Sequence, residues 1–490
     1  MKFTVLSTLS LQLLAATACL LPSERPGNYG KKNNNNKHRL TARQAIGSNA
    51  TQPQAQPSNK TDTGMPISPT NRFSCGSSSV PRGVGSVDNP SPVEEIMSLS
   101  EIKSAVKALE ARFDDVEFFE MPYRTYENRT VFGARIGGGG GGGGGGQQGV
   151  NRTKSFDGGA YSVLMQAAIH PRERGSPDHL VYFVSDLLWA RKEGRGLRYG
   201  GSAYTAAQVS AALALGIVAI PVVNPDGMAH DQQAHTCWRK NRNAVAASAT
   251  DPRSVGVDLN RNFDLLWDYR RTMAPGTMDG SDDPAMEYYH GAAAFSEPET
   301  RNVRWVMDQH PRLAWYMDLH SAAQVVLHGW CHDAVQADDP AQNWKNPAYD
   351  GKRGTLFDPA VDYAEYMDRR DWDALSVTAA RMASAMQLTK DEEHAWSSDP
   401  YVASQGVLGF GTSTGCSIDH AYSRHLEDAT KSKILGFGFE FGEFNYDLSR
   451  EDCPIEECCP FYPTVSIFNH NNKAVAAGLM ELLMAANRNL

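Results

Sequence analysis

The feature that most constrains this chain is an alternation. Short apolar runs, "AYSVLMQAAI" (160–169), "GIVAIPVV" (216–223), "RLAWYMDL" (312–319) and "ILGFGFEF" (434–441), are separated by longer stretches with helical spacing. Runs apolar at nearly every position read as strands buried on both faces, and strands alternating with helices predict a largely parallel sheet covered by helices. "TVFGARIG" (130–137) reads as a further strand. Among the helices, "SPDHLVYFVSDLLWA" (176–190) places Ser at the N-cap and Pro in the first turn. "SPVEEIMSLSEIKSAVKALEARF" (91–113) is a helix with a Ser-type start, and "AVAAGLMELLMAANRNL" (474–490) an amphipathic core helix. "NPDG" (224–227) reads as the turn that stops a strand.

The ends differ from this body. Residues 1–18 pair one Lys with a short apolar run and a small-residue end, which predicts a signal peptide and a secreted protein. Residues 19–92, rich in Asn, Gln, Pro, Ser and Thr, predict a disordered low-complexity leader, with order beginning near Val93 and a catalytic domain over 93–490. Net charge is −9, and the leader carries a basic excess, so the body is more acidic still. An acidic body does not suggest nucleic-acid binding, and no run is long enough to span a membrane. Eight cysteines (19, 75, 237, 331, 416, 453, 458, 459) in a secreted chain predict disulfides, whose pairing sequence does not give. "CPIEECC" lacks a second spaced pair for a zinc finger. Asn49, Asn59, Asn128 and Asn151 open glycosylation triplets. The ten glycines 137–146 lack the Lys-Ser/Thr of a phosphate loop and read as a flexible insertion between strands.

The chemistry-bearing residues fall at strand ends. His170 ends the first apolar run and is followed at the spacing His-x-x-Glu by Glu173; His320 ends the run at 312–319; Glu440 lies near the end of 434–441. In open α/β sheets, sites form beyond the carboxyl ends of strands. A catalytic zinc keeps three protein ligands and one open position, so His170, Glu173 and His320 form a candidate triad. Glu440, a carboxylate among aromatics and glycines, is a candidate base toward water at such a site, with Glu443 its competitor. Arg172, Arg239 and Arg261 cluster with Asn260 in nearby motifs, and arginine holds a substrate carboxylate with two parallel hydrogen bonds.

Together "HPRE", "NPDG", "WRKNRN", "GVDLNRNF", "FSEPET", "DLHS" and "FEFG" occur in the order found in the zinc metallocarboxypeptidases, and the chain resembles their carboxypeptidase A-like family from about residue 93 to its end. The resemblance implies an α/β fold, a mixed, mainly parallel eight-stranded sheet between helices. It implies one Zn2+ ion held by His170, Glu173 and His320, with Glu440 as general base and then acid. It further implies Arg239 at the oxyanion, Asn260 and Arg261 on the terminal carboxylate, and Arg172 assisting substrate binding. Ile418 falls where the family sets side-chain preference, and an apolar residue there implies apolar or aromatic C-terminal residues. The partner is then a peptide or protein C-terminus, acted on by a monomer. An impaired, zinc-binding pseudopeptidase, or a hydrolase of another amide, are the alternatives. Four departures bear on them: Phe410-Gly411-Thr412 stands where the family has a capping Tyr, Ala322 replaces an aromatic, the folded pro-domain is missing, and residues 331–373 form an insertion. Arg174 has no role in this reading and is left to the surface.

Overall fold

The computed structural model describes residues 64–74, 77–138, 161–277, 280–356, 363–390, 400–445 and 458–489. The signal peptide, most of the leader, Asn49, Asn59, Asn151, Gly139 to Gly146, Cys75 and Cys453 lie outside these residues. Eight strands form one sheet: β1 (Val116–Arg124), β2 (Thr130–Ile136), β3 (Val163–Ala167), β4 (Ile217–Ile220), β5 (Trp315–His320), β6 (Val325–His328), β7 (Val402–Gln405) and β8 (Leu435–Glu440). Their spatial order is β1-β2-β4-β3-β5-β8-β6-β7. β4, β3, β5 and β8 run parallel, β1 and β2 add antiparallel neighbours at one edge, and β6 opposes β8 at the other. This is the mixed α/β sheet expected.

The period of two sends alternate residues of the central strands to two cores. Val163, Met165, Ala167, Trp315, Met317 and Leu319 join the larger core, while Leu164 and Tyr316 join the smaller. The larger core is covered by α1 (Leu99–Arg112), α2 (Ser176–Glu193), α3 (Ala206–Ala214), α6 (Arg369–Gln387) and α8 (Val465–Asn489). The smaller is covered by α5 (Pro298–Gln309) and α7 (Ser417–Glu427), and α4 (Pro225–Ala234) follows β4. No helix among the described residues is long and apolar enough to cross a membrane.

Three local expectations change. "NPDG" opens α4 instead of forming a turn: Asn224 caps it by accepting from Gly227 N–H at 2.9 Å, and Pro225 fills the first position. The signals overlap because Asn and Pro suit helix starts as well as turns. At α2 the N-cap is Gly175, at φ 98°, not Ser176, whose hydroxyl instead donates to Glu173 O at 3.1 Å. Order also begins earlier than Val93. Asp186 of α2 accepts from Gly85 N–H (2.8 Å), Ser86 N–H (3.0 Å) and Tyr199 O–H (3.0 Å). Trp189 Nε1 donates to Pro81 O at 3.1 Å, Arg72 pairs with Glu101, and Met65 N–H donates to Pro463 O at 2.8 Å. Hydrogen bonds and irregularly spaced apolar anchors (Met65, Ile67, Phe73, Val80 and Val84) hold this strap, so periodicity does not reveal it.

One disulfide, Cys237–Cys459, joins residues 222 apart in sequence. Cys458 is also disulfide-bonded, and Cys331 and Cys416 are buried free thiols.

Candidate active site

β3 ends at Ala167, and three further residues carry the chain to His170 in the turn before α2. His320 and Glu440 are the last residues of β5 and β8, and these adjacent parallel strands place them side by side in register. His170, Glu173, Arg239, Asn260, Arg261, His320, Ile418 and Glu440 line one cavity at this edge. Glu443 does not line it, which separates the two candidate bases by position.

His170 Nδ1 lies 2.8 Å from Glu173 Oε1, His320 Nδ1 lies 3.0 Å from Glu173 Oε2, and the two Nδ1 atoms are 3.2 Å apart. Tetrahedral zinc with ligands at about 2.0–2.1 Å requires donors about 3.3 Å apart, so this set fits the ion. The outward nitrogens fit as well. His170 Nε2 faces Asp258 Oδ1 at 3.0 Å and His320 Nε2 faces Asp318 Oδ2 at 3.2 Å. Carboxylates behind metal-binding histidines fix their tautomer and raise their basicity. Burial pushes the Glu173 and Asp258 carboxyls up, but stronger opposing pulls hold both well below their usual range: His170 and His320 on Glu173, Arg239 and His170 on Asp258. Asp318 is likewise lowered against its burial by His320.

Asp258 and Asp318 were not singled out from the sequence. Asp318 had a signal, since two residues before His320 on a strand is the same face. Asp258 had none beyond its place in "GVDLNRNF", because its partner is 88 residues away.

Asp258 also positions its surroundings. Its Oδ2 accepts from Arg239 Nε at 3.0 Å, and its Oδ1 accepts from Asn260 N–H at 3.0 Å, opening the short helical turn Leu259–Arg261. Asn260 Oδ1 accepts from Ser417 N–H at 2.9 Å, which ties that turn to the start of α7, where Ile418 forms cavity wall. Gly436 allows this packing, since a Cβ there would lie 2.7 Å from Ile418 O.

Two arginines lie outside the cavity wall. Arg172 is fully buried outside the cavity wall, its guanidinium 4.6 Å from the Phe461 ring and 3.4 Å from Glu287. Arg174 is not at the surface: it pairs with Asp231 at 2.9 Å beneath the Tyr462 ring. Among the described residues no tyrosine lines the cavity, and Phe410 and Gly411 are part of its wall. Ala322 is buried and is not part of the wall.

The zinc carboxypeptidase family model matches residues 102–443. A carboxypeptidase B of Helicoverpa zea is 37% identical over 120 residues, which span 24% of this chain and 25% of that protein. An inactive metallocarboxypeptidase, ECM14, of Ajellomyces dermatitidis is 32% identical over 121 residues, 24% of this chain and 18% of that one. The solved carboxypeptidase A from Helicoverpa armigera superposes with a TM-score of 0.53 at 20% identity, over 80% of this chain and 74% of that one, a likeness of fold.

Proposed function

This chain belongs to the zinc carboxypeptidase family, and we propose that it is a secreted, monomeric metallocarboxypeptidase that hydrolyses the C-terminal bond of peptides or proteins, preferring apolar or aromatic terminal residues. One observation carries this reading. The three-donor set, Glu440, Arg239, Asn260 and Arg261 line the same cavity.

His170, Glu173 and His320 would hold the zinc ion, which when bound would supply Lewis-acid activation of water and of the peptide carbonyl. Glu440 takes the proton of the attacking water and returns it to the departing amine. Arg239, oriented by Asp258, faces the oxygen on which charge develops. Arg261 and the Asn260 amide receive the terminal carboxylate, and Ile418 offers an apolar wall to the terminal side chain. The small-residue end of 1–18 supports secretion.

The test is a panel of peptides ending in Phe, Leu, Lys or Glu, each with a free and an amidated C-terminus, with and without a chelator. Release of Phe and Leu from free termini only, abolished by the chelator, is expected. Preferential release of Lys would remove the role of Ile418, and equal cleavage of amidated peptides would indicate a hydrolase of another amide. The second reading, a zinc-binding pseudopeptidase, is favoured by the absence of tyrosine from the described cavity wall and by the similarity to an inactive relative. No release with zinc bound would select it.

A further inference from the structure

Beyond the zinc site, the cavity wall carries a second group of donors. Cys331 follows β6, while Cys416 and Asp419 belong to the start of α7. Both sulfurs and an Asp419 oxygen lie within 4.8 Å of one another, and all three residues are buried. Both cysteines are free thiols and both line the cavity with Ile418. Zinc bound at about 2.3 Å to two sulfurs holds them about 3.8 Å apart, within this spacing.

Asp419 supplies the second observation. Its Oδ2 accepts from Cys331 N–H at 2.9 Å and faces His332 Nδ1 at 3.2 Å. Its Oδ1 is buried with no hydrogen-bond partner, an arrangement that is costly unless a cation completes it. We propose that Cys331, Cys416 and Asp419 form a second metal site, for a thiophilic divalent cation such as zinc or cadmium, in the wall of the substrate cavity.

Binding replaces protons. The ion forms two metal–sulfur bonds and one metal–oxygen bond, and the two thiol protons leave to water, with no change of oxidation state. Because binding displaces two thiol protons, uptake strengthens as pH rises. His332 lies between the Asp419 carboxylate, at 3.2 Å, and that of Glu365, at 2.9 Å, at the edge of the site. An ion here crowds the wall beside Ile418 and slows turnover. That consequence rests on the function proposed above, whereas the metal site does not.

The test uses the zinc-loaded protein titrated with cadmium. A second equivalent with cadmium–thiolate charge-transfer absorption is expected, retained in His320→Ala and lost in Cys416→Ser and Cys331→Ser. Circular dichroism checks that each variant is folded; should Cys331→Ser not fold, Cys416→Ser carries the test. The inference is overturned if no second equivalent binds, if it binds without thiolate absorption, if it survives Cys416→Ser, or if the two thiols prove to be oxidised in the isolated protein. If the zinc-loaded protein releases no terminal residue but the second equivalent binds, the function proposed above fails and this site stands.

Discussion

Asp258 serves three partners with one carboxyl group, steadying His170 and the Asn260 N–H through Oδ1 and Arg239 through Oδ2. Replacement by Asn leaves one of these without an acceptor. Asp258→Asn is expected to weaken zinc binding by about 10–100-fold, read by competition with a chelator; unchanged affinity would contradict the assignment. Ile418→Asp is expected to move release from Phe toward Lys by about tenfold or more, read on the peptide panel. His170, Glu173, His320 and Glu440 were legible because each follows or ends an apolar run, where any polar residue needs a reason. Arg174 was misjudged, and the burial of Arg172 missed, for the opposite cause. A charged residue in a loop gives no sign of whether its partners, here Glu287 and Asp231, lie across the fold.

At the scale of elements, the site depends on how α7 and the Leu259–Arg261 turn seat on β8. A Cβ at Gly436 would also lie 3.0 Å from Ile418 Cα, and backbone cannot swing aside as a side chain can. Gly436→Ala is expected to cost about 1–3 kcal/mol in thermal unfolding. The Cys237–Cys459 bridge lies one residue from Trp238, whose carbonyl accepts from Arg172 N–H at 2.9 Å. It closes a long loop, so Cys459→Ser is expected to cost about 2–5 kcal/mol in denaturant unfolding. Five of the eight strands, β2, β3, β4, β5 and β8, were legible in the sequence to within a few residues, whereas β1, β6 and β7 were not singled out. The helix starts were less so, since Asn224 and Ser176 carry signals shared by caps and turns, and only the flanking geometry decides between them.

Across the whole molecule, stability and pH are linked through buried carboxyls. Burial, with Glu297 beside it, pushes Glu299 from 4.5 up to about 8. A raised folded-state value contributes stability that is complete below the unfolded value and is lost as pH rises through the folded one. The wild type therefore loses this contribution between about pH 4.5 and pH 8. Glu299→Gln removes the titration, so its melting temperature is expected to gain on wild type as pH rises across that window; a constant difference would contradict the linkage. Asp186, raised by burial to about 6 while anchoring residues 85 and 86, adds to the same trend. The strap was the least legible feature of the molecule. Its polar composition resembles an unfolded leader, and its partners, among them the Asp186 carboxylate on α2, lie far along the chain, about a hundred residues away for Asp186.

In the function proposed above, one cavity holds the metal with three residues and does its proton chemistry with Glu440. The most direct measurement takes metal content and terminal-residue release on the same samples of wild type, Glu440→Gln and Glu443→Gln. Glu440→Gln should keep wild-type zinc while release falls by about 10²–10⁴-fold, with Glu443→Gln close to wild type in both. Release that survives Glu440→Gln, or that is lost instead in Glu443→Gln, would contradict the claim.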